Sequence, residues 1–406
     1  MGKTVVVIGG GAAGFFAAIR CKEVNPSYEV ILMEKTNKVL SKVKVSGGGR
    51  CNVTNATFSN AQLVKHYPRG DKFLKKAFEQ FSTEDTINWF KRNGVELHAE
   101  EDKRMFPITN NSTTIIDCLL NKARKLGIRI EKKANVDSIE KVGKEFLLFL
   151  GEQKFEAHKV IVAQGGSNKI ESYHWLEALD HKIEAPIPSL FTFNMPEENI
   201  KELPGVVVKN VQAKVLTTKL KTVGDLLVTH WGMSGPAILK LSAWGARDLF
   251  NLGYDFTISL NWLGEKSEED ARGMFPLESS KKMINENPFD FPKRFWSYLL
   301  SKIEIEEDSN WLSLSKKNKN KLVNLLTNDQ YKVKGKTTFK EEFVTCGGVA
   351  LQDVDVTTMQ SKRCEGLYLC GEVMDIDGIT GGFNFQAAWT TAYIAGTLGE
   401  PSFAKL

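Results

Sequence analysis

The six cysteines of this 406-residue chain, at 21, 51, 118, 346, 364 and 370, include no CxxC pair and no ligand-like spacing. That excludes the usual disulfide and zinc frameworks and leads us to expect free thiols in a reducing compartment. No apolar run reaches membrane-spanning length. The apolar start does not read as a signal peptide, because Arg20 interrupts any cleavage site, and MGKTVV lacks the Ser or Thr that N-myristoylation needs after Gly2. A cytoplasmic protein, with neither membrane nor metal partner, is the expectation. HExxH, a Ser/His/Asp order and internal repeats are also missing. The net charge of +5 is small for the length. Lysines nevertheless cluster in KKNKNK (316–321) and KVKGKTTFK (332–340), which read either as a solvated face or as a surface for an anionic partner such as RNA.

A chain of this length, 42% hydrophobic, has room for two or three units with substantial cores. It opens on a buried strand, Thr4 to Ile8, that runs into GGGAAG and an alanine-rich helix through about Glu23. Gly9 allows the tight turn, Gly11 the approach of a pyrophosphate, and Gly14 close helix–sheet packing. Ala12 and Ala13 open the helix, whose N-terminal N–H groups suit phosphates. A second strand, Tyr28 to Met33, ends at Glu34 and Lys35, where the carboxylate has the spacing to accept from an adenosine ribose. Together these features imply dinucleotide binding. No second GxGxxG occurs, so a nicotinamide dinucleotide would need another docking mode.

Two further segments carry specialised chemistry. SGGGRCNVTN, Ser46 to Asn55, reads as a loop in which the amides of Gly48 and Gly49 form an anion-binding concavity, Arg50 pairs with pyrophosphate and Asn52 reaches a flavin edge. Cys51 is read as either a small packed residue or a redox thiol. Near the C-terminus the strand Leu367 to Cys370 exits into Gly371 and Glu372, followed by Asp375, Asp377, Gly378, Gly381, Gly382 and Asn384, then a helix from about Phe385. Glu372 is placed for ribityl hydroxyls, and the helix N-terminus for negative charge on a reduced flavin ring.

Between these segments, Ser82 and Asp85 make a capping box before TINWFKRN, and a second helix spans about Thr113 to Leu126. Strands follow to KVIVA, ending at Ala163. Gly165 and Gly166 then form either a plain turn or a second approach to the dinucleotide. From residue 190 alternating strands suggest an inserted β domain, and 265–330 a helical lobe within it. The expected division is 1–189 and 343–406 for a dinucleotide domain, 190–264 and 331–342 for a β-rich insertion, and 265–330 for the lobe. In THWGMSGPAIL, His230 is the candidate general acid or base and Trp231 a stacking surface, against the alternative of a structural His beside a core Trp.

Over its full length the chain resembles the BaiN/YhiN-like flavoproteins, also called aminoacetone-oxidase-like. The motifs that carry the resemblance are VVVIGGGAAG, SGGGRCNVTN, RMFP (104–107), THWGMSGPAIL and TCGGVALQDVDVTTMQSKRCEGLYLCGEVMDIDGITGGFNFQAAW. The resemblance implies a Rossmann-like FAD domain of glutathione-reductase type, an α/β fold interrupted by a β-rich domain with a helical lobe. It adds Lys42, Cys51 and the backbone of Val136 to the FAD contacts and places Glu372, Gly381, Gly382 and Asn384 at the isoalloxazine. This chain departs from the family pattern with Leu40-Ser41 before Lys42, cysteines at 346 and 370, and Phe383 before Asn384. The activities implied differ: reduction of conjugated double bonds in steroid-like molecules, oxidation of small amines, and reduction of uridine in ribosomal RNA. The expectation is an FAD-dependent oxidoreductase passing a hydride between flavin N5 and a substrate between the FAD domain and the insertion, with NADH or NADPH as diffusible reductant.

Overall fold

A computed structural model describes residues 2–338 and 344–400. Packing divides the chain into two compact units, changing over at Ser189/Leu190 and again at 339/340. The second changeover, the expected 342/343 boundary and the end of the basic run 332–340 all lie outside the described residues.

The first unit is built on a five-stranded sheet ordered Leu367–Leu369, Lys159–Val162, Thr4–Ile8, Glu29–Glu34, Arg129–Lys132. Every neighbouring pair is parallel. The central strand TVVVI is buried and β-branched, as a strand covered on both faces must be. Helix Ala12–Val24 buries nine consecutive residues from Ala13 to Cys21. It packs on the C-terminal helix Phe383–Gly396 closely enough that a Cβ at Gly396 would lie 2.7 Å from the Ala17 carbonyl oxygen. An antiparallel meander, Ser138–Val142, Glu145–Leu150 and Gln153–Ala157, links the fifth strand of the sheet to Lys159–Val162. Of two short strands that the sequence pattern does not reveal, Arg104–Pro107 pairs antiparallel with Thr54–Asn55 on one side and with Leu97–Ala99 on the other.

The second unit is a seven-stranded antiparallel sheet ordered Asp329–Lys334, Asp255–Asn261, Val207–Val215, Lys221–Thr229, Gly232–Ser234, Thr192–Asn194, Lys336–Thr337. The stretch 265–330 is not continuously helical. It holds helices Glu268–Gly273, Lys293–Lys302 and Lys316–Thr327, and its end already belongs to the sheet. These helices share one hydrophobic core with the strands: Trp262 meets Phe295 edge to face at 4.6 Å, and Trp296 stacks near Trp311. The polar centre of this unit is Asp329, which accepts from Trp262 Nε1, Tyr331 OH and Lys302 Nζ. The whole is a Rossmann-type α/β fold with antiparallel insertion sheets.

Candidate cofactor and active site

The turn after the first strand has the shape a dinucleotide requires. Gly9 has φ +110°, and a Cβ there would lie 2.4 Å from the Ala163 carbonyl oxygen. A Cβ at Gly14 would fall 1.8 Å from the Gly9 carbonyl oxygen, whereas one at Gly11 would meet nothing within 4 Å. The closing helix has no side-chain cap and no acidic residue in its first turn, so the N–H groups of its first turn, at Ala12 and Ala13, have no carboxylate competing for them. Glu34 Oε2 accepts from Gly10 N at 2.8 Å and Oε1 from Thr36 N at 2.8 Å. A carboxylate offers about four acceptor positions, so two remain for ribose hydroxyls. Lys35 beside it is exposed. Val136 lies in the segment that Ala134 N and Lys133 N tie to Glu34 O and Thr36 O, alongside the same strand end.

The SGGGRC segment is not wholly a loop. Helix Ser41–Gly49 runs into it and breaks at Ser46, Gly47 and Gly48. Gly48 and Gly49 have φ of +67° and +85°, and a Cβ on either would meet nothing within 4 Å. Arg50 donates from NH1 to Glu100 Oε1 at 2.6 Å and lies 3.9 Å over the Phe106 ring, so RMFP supplies its seat. Cys51 is fully buried with φ +62°, and burial pushes its thiol up to about 12, far from a reactive thiolate. That burial fits the reading of Cys51 as a small packed residue. All six cysteines are buried thiols. Asn52 is a clamp: with its amide turned to the orientation that satisfies both atoms, it donates to Thr54 O and accepts from Gly382 N, each at 3.0 Å.

The C-terminal segment meets the N-terminal one inside the same unit. A Cβ at Gly371 would lie 2.9 Å from Ala13 Cβ. Glu372 pairs with Lys42 at 2.8 Å and accepts from Thr345 N at 2.8 Å. A Cβ at Gly166 would collide with Thr345 Oγ1 and the Glu372 carboxyl, while Gly165, with φ +77°, faces open space. Asp375 accepts from Gly347 N. The Asn384 side chain both donates to Gly378 O and accepts from Gly378 N. The helix begins at Phe383, two residues before the expected start, with Gly382 at φ +91° as its uncapped N-cap. Unforeseen residues finish this loop: Asn55 Nδ2 donates to Gly381 O, Tyr67 OH donates to Phe383 O, His66 stacks on Phe383 at 4.3 Å, and Arg69 pairs with Asp377. For Tyr67 and Arg69 a signal existed in the YPRG turn at 67–70, but nothing in it named a partner.

His230 lies in the second unit, exposed at the turn between strands Lys221–Thr229 and Gly232–Ser234. Trp231 is tethered, its Nε1 donating to Thr192 Oγ1 and its carbonyl accepting from Met195 N. Among the described residues no group of three or more His, Cys, Asp or Glu could hold a metal, and no helix is long and apolar enough to cross a membrane.

An open Gly11 cradle, an uncapped helix start and a half-used ribose acceptor fit a dinucleotide. Residues 3–398 match the model of the family described as HI0933-like protein Rossmann domain. The chain belongs to that family. This HI0933-like protein is thus a member of an FAD-binding family of flavin oxidoreductases. It is 25% identical over 405 residues to the 3-dehydro-bile acid delta(4,6)-reductase of Clostridium scindens, covering 96% of this chain and 97% of the relative. It is 29% identical over 406 residues to the ribosomal RNA dihydrouridine synthase of Escherichia coli, covering 96% of each. Among solved structures, 3-ketosteroid delta1-dehydrogenase from Sterolibacterium denitrificans matches 97% of this chain and 99% of its own, with a TM-score of 0.51 and 10% identity, a likeness of fold.

Proposed function

We propose that this protein is an FAD-dependent reductase that saturates a carbon–carbon double bond conjugated to a carbonyl, with NADPH or NADH as the diffusible hydride source. The observation that carries this reading is the pair of full-length relatives: one is named as a bile-acid delta(4,6)-reductase, the other for making dihydrouridine. The two substrates differ in size and polarity, yet each name denotes adding two hydrogens across a C=C bond. When bound, FAD supplies the two-electron centre for such a reaction. The chain's own residues hold and orient it: the amides of the Ala12–Val24 helix start take the pyrophosphate, Glu34 the ribose, and the Lys42–Glu372 pair the ribityl chain. The start of helix Phe383–Gly396 favours negative charge at the pyrimidine end. For the proton that must follow the hydride, His230 is the proposed acid, and His230→Ala is expected to keep FAD but slow turnover.

Within this class, uridine in RNA is the second substrate reading, favoured by two ribosomal RNA dihydrouridine synthases among the relatives, from Escherichia coli and Haemophilus influenzae. Protein reduced anaerobically and mixed in turn with a steroid dienone and an unmodified ribosomal RNA transcript tests both. Return of the oxidised flavin band with one of them, together with the saturated product, supports the reading. No return with either, but rapid return with oxygen after reduction by an amine, makes the protein an oxidase.

A further inference from the structure

The loop between Asp377 and Phe383 rests on a buried charge. The Asp377 side chain is fully buried and that of Arg69 is 11% exposed. Arg69 Nε donates to Asp377 Oδ1 at 2.5 Å, and its NH2 reaches Oδ2 as well, so the pairing is bidentate. Ser189 Oγ donates to Asp377 Oδ2 at 2.7 Å and accepts from Arg69 NH2 at 3.2 Å. The backbones of Arg69 and Asp377 also form an isolated antiparallel bridge. Immediately beyond, Ile379 N donates to His66 O, Asn55 holds Gly381 O and Asn52 holds Gly382 N. The segment from Asn52 to Arg69 therefore acts as a mould for the turn that starts the C-terminal helix.

A carboxylate in such a place is costly unless paired, because desolvation opposes its charge. Burial pushes the Asp377 carboxyl above its ordinary range, and Arg69 opposes that push. A neutral Asn would fill the same space and keep one acceptor for Arg69 Nε, but its Nδ2 would meet the donors Arg69 NH2 and Ser189 Oγ, so the carboxylate supplies acceptors as well as charge. The pair does fix a specific balance of charge one residue from Gly378, at the end of the site the reading above gives to the flavin ring.

We propose that Arg69 and Asp377 are a positioning pair that sets the electrostatic balance at the flavin end of the site and thereby its reduction potential. The inference rests on the proposed placement of FAD along residues 371–384. Reduction adds negative charge to the ring, so a nearby buried charge of either sign moves the potential in a predictable direction.

The test is the two-electron reduction potential of purified holoprotein, measured against redox dyes with a chemical reductant, which needs neither substrate nor nicotinamide. Asp377→Asn leaves the guanidinium uncompensated and is expected to shift the potential upward. The double variant Asp377→Asn/Arg69→Met removes both charges and is expected to return it toward the wild-type value. Arg69→Met alone is expected to make the potential more dependent on pH, as Asp377 titrates without its partner. A merely structural pair would change melting temperature without this signed pattern. FAD-bound Asp377→Asn with an unchanged or lowered potential overturns the inference. Wild-type protein that binds no FAD instead overturns the reading beneath it, and the two failures are distinguished by the visible spectrum before any titration.

Discussion

Glu34 closes the turn after the first strand before any ligand arrives, because Gly10 N and Thr36 N both donate to its carboxylate. Removing it in Glu34→Ala leaves the buried Gly10 amide without its acceptor, a cost of about 1–3 kcal/mol, while the exposed Thr36 amide turns to water. The variant is therefore expected both to melt earlier and to purify with less FAD, read by thermal denaturation and by the ratio of flavin to protein absorbance. Lys42 behaves differently. Its ion pair with Glu372 is half exposed on the lysine side, so Lys42→Ala is expected to change stability by less than about 1 kcal/mol while weakening FAD retention. Equal loss in both measurements would make Lys42 a structural residue. The thiols offer a further check: with Cys51 pushed to about 12 and all six buried, native protein is expected to react slowly with an alkylating reagent, and denatured protein to expose six thiols. A rapidly reacting Cys51 would restore its redox role. His181 is buried against Ser361 Oγ and the Leu176 carbonyl, and burial lowers its pKa from 6.5. A depressed histidine stabilises the fold above its unfolded pKa and loses that contribution as pH falls through the folded one. Unfolding free energy is thus expected to decline below about pH 6.5, with a shallower decline in His181→Gln.

At the level of elements, helix Ala12–Val24 approaches its sheet where side chains have no room. Gly14→Ala would press a Cβ to 1.8 Å from the Gly9 carbonyl oxygen, and we expect it to cost roughly 3 kcal/mol or more, read as a lower melting temperature and little flavin-loaded protein. This element was legible in the sequence because its causes are local: a β-branched run, a glycine turn, a buried alanine face. The same holds for the Ser82/Asp85 capping box, which forms as expected at the start of helix Thr83–Arg92. Other parts of the site were not legible. SGGGRC reads as a loop, yet helix Ser41–Gly49 enters it, since the break at Ser46 to Gly48 depends on packing against Phe106 and Asn52. Arg50 has the chemistry of a phosphate ligand, but Glu100 takes its guanidinium through a strand pair that periodicity did not reveal. Arg69 binds Ser189 across 120 residues and Asp377 across 308, and no local pattern encodes partners so far apart.

For the whole molecule, the strand–turn–helix unit at the N-terminus and the one at the C-terminus lie in a single compact unit, and Gly371 against Ala13 joins them. The six-residue basic run 316–321 opens helix Lys316–Thr327, where Lys321 pairs with Glu304, so one carboxylate already offsets part of its charge. If RNA is the substrate, its binding is expected to weaken steeply with salt, because phosphate contacts release counterions. Salt-insensitive binding of a small enone would favour the steroid-like branch. The central claim, that electrons enter this FAD-binding fold from a pyridine nucleotide although a second glycine fingerprint is missing, is tested most directly by anaerobic titration of the purified yellow protein. NADPH and NADH are added in turn while the flavin band is followed. Stoichiometric bleaching by one of the two is the expected result; a band that neither bleaches, in protein that a chemical reductant bleaches fully, would contradict the claim and assign the reducing electrons to the substrate itself.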